Sequence, residues 1–345
     1  MKTLVTGANG HVGFNLCKAL LERGYDVRAS VRSVDDEART ASLRALGVQD
    51  FVSLDVRNLD AFEHACQGVE LLFHVAATYA FHTSGPAADG EMVRDSVEGA
   101  ANAIRAAART GVNKVVMTSS IVTLPLAGPG DPPATEADWN PDLRVPYIRA
   151  KVEGERAAWR VAEELGVRLV TVLPGAIGGP GFQRRTQSTD VIEGIMLGTM
   201  RMAAPKLNFP YVDIRDVTEG HVLAAQHDVA GRFYLGNDVL PSFQELTRMM
   251  HGIDPRVPAA PRLLPDFALG MVPFFEWLDE KTRGAPRSAT PELLRSLRGK
   301  RYSASNARAN AELGWEPRVP LEQSLAETME AIRALRRREG RKTLA

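Results

Sequence analysis

A chain of 345 residues, 44% of them hydrophobic, is long enough to bury a large core as one big domain or two of ordinary size. Its 42 Lys and Arg balance 42 Asp and Glu, which argues against nucleic acid or an anionic membrane as the main partner. Cys17 and Cys66 are its only cysteines and lack metal-ligand spacing, so neither a disulfide scaffold nor a metal site is expected, and the compartment reads as reducing. Met1 leads within one residue into an apolar run, so no signal or transit peptide is expected and the expected location is cytoplasmic.

That run, Lys2–Val5, is followed by Thr6-Gly7-Ala8-Asn9-Gly10-His11-Val12-Gly13 and then by a helix-like stretch over 14–21. Strand, tight turn and helix start follow one another. Glycines at 7, 10 and 13 let the backbone turn sharply, approach a ligand closely and pack helix on strand. Free N–H groups at the helix start attract an anion such as a pyrophosphate. The spacing is G-x-x-G-x-x-G rather than G-x-G-x-x-G, in the strand–turn–helix context that such a motif needs.

Short apolar, β-branched runs then alternate with longer amphipathic segments. The runs cover 25–31, 51–54, 70–75, 114–118 and 167–173; the clearest helical stretches cover 37–46, 92–108 and 152–165. This is the pattern of βα units, and it predicts an α/β fold: a Rossmann-type, doubly wound parallel sheet with its ligand at the carboxyl ends of the strands.

The pattern changes after Pro174. Gly175, Gly178, Gly179, Pro180 and Gly181 open a loop, followed by a helical stretch over 190–200. We expect a dinucleotide-binding lobe over 1–174, with 211–236 returning to it. A smaller, mixed C-terminal substrate lobe is expected over 175–210 and 237–335, and a basic tail over 336–345 with its arginines in solvent. The apolar stretch 263–278 is too short, and too interrupted by Pro265, Asp266 and Pro273, to span a bilayer. It reads either as a helical flap closing the smaller lobe's core or as a lid over an apolar substrate.

Three pieces suggest chemistry. The fifth run ends in Thr118-Ser119-Ser120, and Tyr147 and Lys151 stand four apart at the start of a helix, on one face. A phenol of pKa about 10 is a poor acid or base at neutral pH, and an ammonium beside it favours the phenolate. Ser120 can donate to a carbonyl oxygen that gains negative charge. Together the three make a proton-transfer site.

The ordered set Thr6-Gly7-x-x-Gly10-x-x-Gly13, Asp55, His74-Val75-Ala76-Ala77, Ser119-Ser120 and Tyr147-x-x-x-Lys151 resembles the extended short-chain dehydrogenase/reductases. Within them it is most similar to the dihydroflavonol and cinnamoyl-CoA reductase branch and its bacterial relatives. The resemblance implies that Tyr147 is the general acid/base, that Lys151 lowers its pKa and holds the nicotinamide ribose, and that Ser120 orients the substrate carbonyl, with Ser119 its competitor. It places Gly7, Gly10 and Gly13 at the pyrophosphate, Asp55 and Val56 at the adenine, and His74, Ala76 and Ala77 along the cofactor's path. Asn9, His11, Val12, Thr118, Pro174 and Ile177 complete the implied cofactor contacts. A homodimer through the helices starting near Met92 and Tyr147 is implied by the resemblance alone.

In the second strand, Val31 occupies the place where NAD-preferring sites carry a carboxylate, and Arg32 follows it, with Arg28 facing away. NADPH (NADP as the cofactor) is therefore expected over NADH, with Asp35 and Asp36 as the competing carboxylates. Leu173-Pro174-Gly175-Ala176-Ile177-Gly178-Gly179-Pro180 lacks the Asn-Val-Tyr-Gly-Pro of sugar-nucleotide relatives. Candidate substrate contacts are Thr78, Tyr79, Phe81, Ile121, Val122, Phe182 and Gln183, with Arg184 and Arg185 as a further pair able to clamp a carboxylate or phosphate. The expected reaction is NADPH-dependent reduction of a small-molecule aldehyde or ketone, apolar or aromatic, to an alcohol. The alternatives are an epimerase or dehydratase, a hydroxysteroid-type dehydrogenase, and a non-catalytic NAD(P)-sensing regulator.

Overall fold

The computed structural model describes residues 1–77, 85–286 and 290–341. β1 (Lys2–Val5) feeds α1 (His11–Glu22), and the alternation continues through β2 (Asp26–Val31), α2 (Glu37–Ala45), β3 (Asp50–Ser53), α3 (Leu59–Cys66), β4 (Leu71–His74), α4 (Pro86–Thr110), β5 (Lys114–Thr118), α5 (Pro146–Leu165) and β6 (Leu169–Pro174). Next come β7 (Ala176–Gly178), α6 (Gln187–Met196), β8 (Ala204–Pro205), β9 (Tyr211–Asp213), α7 (Ile214–Gln226) and β10 (Gly231–Leu235). The chain ends in α8 (Phe243–Ile253), β11 (Leu263–Leu264), α9 (Val272–Arg283), α10 (Pro291–Leu297), α11 (Ala307–Leu313) and α12 (Leu321–Arg338).

Seven parallel strands form the main sheet in the order β10-β6-β5-β4-β1-β2-β3. The chain winds outward from β1 to β3, then returns to β4 and winds the other way. The reversal between β1 and β4 opens a crevice at the carboxyl ends of those strands. β4 and β6 are buried along their whole length, which is why they read as largely apolar runs rather than alternating ones. One face of the sheet packs Leu16, Leu20, Val222 and Trp315 from α1, α7 and the region after α11. The other packs Phe62, Ile104, Ala106 and Val161 from α3, α4 and α5. This is the doubly wound α/β fold that the alternation predicts.

A further core of Ile192, Ile195, Phe209, Tyr211, Leu246, Met250, Leu325 and Met329 joins α6, α8 and α12. Three expectations are corrected around it. Tyr211–Asp213 does not rejoin the main sheet but pairs with β7 in a separate two-stranded sheet. The outer edge of β6 is already taken by β10, so only Gly231–Leu235 completes the main sheet. The expected basic tail begins too early: α12 runs to Arg338, and Arg336 is buried in an ion pair with Glu193 of α6. In the 263–278 stretch, Phe274, Phe275 and Trp277 are 59%, 47% and 42% exposed, so these rings do not close a core. Asp279 instead holds α9 to the body of the protein through Arg201 at 3.1 Å. Among the described residues, no helix is long and apolar enough to cross a membrane.

Candidate active site

A cleft of about 620 Å³ lies across the strand ends, lined by the turn after β1, the ends of β2, β4, β5 and β6, the start of α5 and the loop before α6. The turn after β1 is fixed by steric necessity. Gly7 has φ of 64°, and a Cβ there would stand 2.9 Å from the Ala76 Cα. A Cβ on Gly13 would stand 2.3 Å from the Gly7 carbonyl oxygen. No side chain caps α1, whose first turn carries no acidic residue, so its leading N–H groups are left to a ligand.

A threonine ties the next loop to this turn. The Thr6 hydroxyl accepts from the N–H groups of Val75 and Ala76, each at 3.0 Å, and lies 3.1 Å from His74 Nδ1. Burial, and then the charge of Lys151, pushes the His74 pKa down to about 4, so the ring is neutral. His11 is also held near 4 by burial, and its Nε2 lies 3.1 Å from the Pro180 carbonyl.

At the end of β2, Arg32 and, from α2, Arg39 face the cleft. Arg28 points elsewhere, to the Asp50 carboxylate at 3.0 Å and the Ala65 carbonyl at 2.9 Å. Asp55 lines the cleft while accepting from the Arg57 N–H at 3.1 Å, and the Arg57 guanidinium pushes its pKa down to about 2.

Pro146 occupies the first turn of α5 and fixes its start, so Tyr147 and Lys151 stand one turn apart facing the cleft. Lys151 Nζ lies 3.5 Å from the Thr118 carbonyl; burial lowers its pKa to about 8, with Glu155 acting in the opposite direction. Glu155 is fully buried. Its carboxylate accepts from Ser119 Oγ at 2.5 Å, Thr171 Oγ1 at 2.7 Å and Arg232 Nε at 2.9 Å. Arg232 spends its other donors on the carbonyls of Glu136 and Asp138 and on Thr123 Oγ1, and stacks 3.7 Å over the Trp139 ring. Every member of this ionic cluster is satisfied.

The model of the NAD dependent epimerase/dehydratase family matches residues 3–236. The chain belongs to this family. Tetraketide alpha-pyrone reductase 1 of Arabidopsis thaliana is 32% identical over 276 residues, covering 76% of this chain and 83% of the relative. A putative dihydroflavonol 4-reductase of Synechocystis sp. is 30% identical over 337 residues, covering 94% and 92%. The crystal structure of gox2253 superposes with a TM-score of 0.80 at 29% identity, covering 98% of each chain. The protein is an NAD(P)-dependent oxidoreductase of the extended short-chain dehydrogenase/reductase type, in the dihydroflavonol and cinnamoyl-CoA reductase branch.

The oxidoreductase gathers in one cleft Gly7, Asn9, Gly10, His11, Val12, Arg32, Asp55, Val56, Ala76, Ala77, Thr118, Ser120, Tyr147, Lys151, Pro174 and Ile177. Gly13 is not among the lining residues; it lies beneath the turn, where only a glycine fits. Thr78, Tyr79 and Phe81 fall outside the described residues. Three substrate candidates are corrected. Phe182 is 3% exposed, packed in the α6–α8–α12 core and edge-on against His11. Gln183 faces α12 and accepts from Arg338 at 3.2 Å. Ile121 is 4% exposed, in the cluster that holds Met92, Val145 and Tyr147. An aromatic or apolar residue is as readily drawn into a core as into a pocket wall, and here the core took Phe182 and Ile121.

The arginine pair divides. Both line the cleft, but Arg185 is neutralised by Glu193 at 2.7 Å and Glu339 at 3.4 Å, whereas Arg184 forms no ion pair among the described residues. Sequence reasoning missed Arg39, Arg57, Thr186 and Ser188, which also line it, and Glu155 behind it. Glu155 had a signal: it stands four residues after Lys151, on the same helix face as Tyr147.

Proposed function

We propose that this enzyme reduces an aldehyde or ketone to an alcohol with NADPH, Tyr147 donating the proton. One observation carries the proposal: Ser120, Tyr147 and Lys151 line the same cleft as the glycine turn and Arg32. The residues present fit a dinucleotide. Gly7 and Gly13 keep open a cradle that side chains would fill, the N–H groups of α1 are uncapped, and Val31, followed by Arg32, stands where an NAD site carries a carboxylate.

When bound, NADPH supplies a hydride to the carbonyl carbon. Ser120 donates its hydroxyl to the carbonyl oxygen as charge develops there. Among the described residues its Oγ accepts only from the Val122 N–H, at 3.3 Å, and donates to none, whereas the Ser119 proton is committed to Glu155. This supports Ser120 over Ser119. Tyr147 delivers its phenolic proton to the same oxygen, and the Lys151 ammonium stabilises the phenolate left behind. Two neutral histidines, His74 and His221, border the Lys151–Thr118 corner without adding charge.

Relatives named for tetraketide alpha-pyrone, cinnamoyl-CoA and dihydroflavonol reduction support an apolar or aromatic carbonyl. The test follows NADPH and NADH absorbance against a panel of aromatic and aliphatic aldehydes and ketones. Stoichiometric loss of NADPH, faster than of NADH, is the expected result. Carbonyl conversion with no net cofactor consumption would move the assignment to internal redox recycling.

A further inference from the structure

We infer that Arg184, from the loop between β7 and α6, is the third guanidinium of the site for the cofactor's 2′-phosphate. The inference rests on the NADPH reading above and adds a residue from outside the first βαβ unit. Phe182, two residues earlier, is anchored edge-on to His11 of α1 with ring centroids 5.3 Å apart. That anchor fixes where the following residues emerge, and the Arg184 side chain returns over the glycine turn. A Cβ on Gly10 would stand 3.9 Å from its Nη2. Arg32, Arg39 and Arg184 all line the one cleft.

The charge balance at this corner is incomplete. Arg39 is paired with Asp36 at 2.5 Å, while Arg32 and Arg184 form no ion pair among the described residues. The protein around Arg184, and then the charges of Arg39 and Arg32, pushes its pKa below the ordinary arginine value. Asp55 also acts on Arg32 but is already bound by Arg57, so three guanidiniums drawn together here repel each other unless a further anion joins them. A phosphate dianion satisfies that demand, and planar guanidinium forks match its oxygens. The pyrophosphate has its own donors in the uncapped N–H groups of α1. The 2′-phosphate belongs at the end of β2, on the side of Arg32 and Arg39. Arg184 therefore adds selectivity for NADPH from the far rim of the cleft.

Calorimetric titration of the wild type, Arg32→Ala and Arg184→Ala with NADPH, NADH and adenosine 2′,5′-bisphosphate tests this without turnover. Arg184→Ala should weaken NADPH and the bisphosphate by about 10- to 100-fold, the weight of a charge-assisted contact, and leave NADH within about threefold. Arg184→Lys keeps the charge without the fork and should lose less. An equal loss for NADPH and NADH would put Arg184 on the pyrophosphate and overturn the inference, as would no loss for either. If Arg32→Ala abolishes the preference for NADPH and Arg184→Ala does not, the cofactor reading stands and this inference alone fails. If the wild type binds NADH as tightly as NADPH, the cofactor reading itself fails.

Discussion

Ser119 and Ser120 are neighbours in the chain, yet only Ser119 is bound to Glu155, at 2.5 Å. The difference separates a serine that holds structure from one that can act. Ser120→Ala should lower kcat by about 10²- to 10³-fold with little change in KM, the usual cost of removing a donor to a developing oxyanion. Ser119→Ala should cost much less in kcat and show instead in stability. Steady-state kinetics of the pair decide it, and the reverse order would exchange the two roles.

Glu155 and Arg232 form a fully satisfied buried ion pair that spans α5 and β10. Arg232→Met leaves the carboxylate buried without its cation and should destabilise the fold by about 3–5 kcal/mol. Replacing both partners, Glu155→Leu with Arg232→Met, should cost less than the single change. Urea unfolding of the two variants measures the difference, and a double variant less stable than Arg232→Met would contradict the coupling.

Lys151 is buried beside Thr118, and its pKa sits near 8. Below that value the ammonium is intact and supports Tyr147; above it the charge is lost. For carbonyl reduction, kcat/KM should fall as pH rises through about 8. Arg stays charged throughout, so Lys151→Arg should move the alkaline limb upward. A limb unmoved in that variant belongs to another group.

His11, His74 and His221 are buried and neutral, each with its pKa lowered to about 4 mainly by burial. The unfolded chain takes up their protons near pH 6.5 and the folded one only near 4, so stability falls as pH drops through that window. Each histidine removes up to about 1.4 kcal/mol per pH unit there. Asp190, pushed up to about 6 by burial, works in the opposite direction and offsets part of the loss. Urea unfolding at pH 7 and pH 5 should show the decline, and His221→Gln should reduce its slope. Equal stability at both values would contradict the assignment.

Local chemistry was legible in the sequence, and chemistry made by distant segments was not. The glycine turn and the Tyr147–Lys151 pair could be read because each depends on spacing within one element. Glu155 stood in the same register and could have joined them. Its partner Arg232 is 77 residues away, and only the pairing of β10 with β6 brings it near. The orientation of Phe182, Arg184 and Arg185 was likewise undetermined, since a loop has no periodicity to give its side chains a face. Tyr211–Asp213 read as a strand and is one. Which strand it would meet depended on β10 having filled the sheet edge.

The central claim is that Tyr147 donates the proton in a reduction driven by NADPH. The most direct measurement pairs NADPH binding with turnover of an accepted carbonyl substrate in the wild type and in Tyr147→Phe. The account predicts unchanged affinity for NADPH and a kcat lower by about 10²- to 10⁴-fold. Turnover in Tyr147→Phe close to that of the wild type would contradict it.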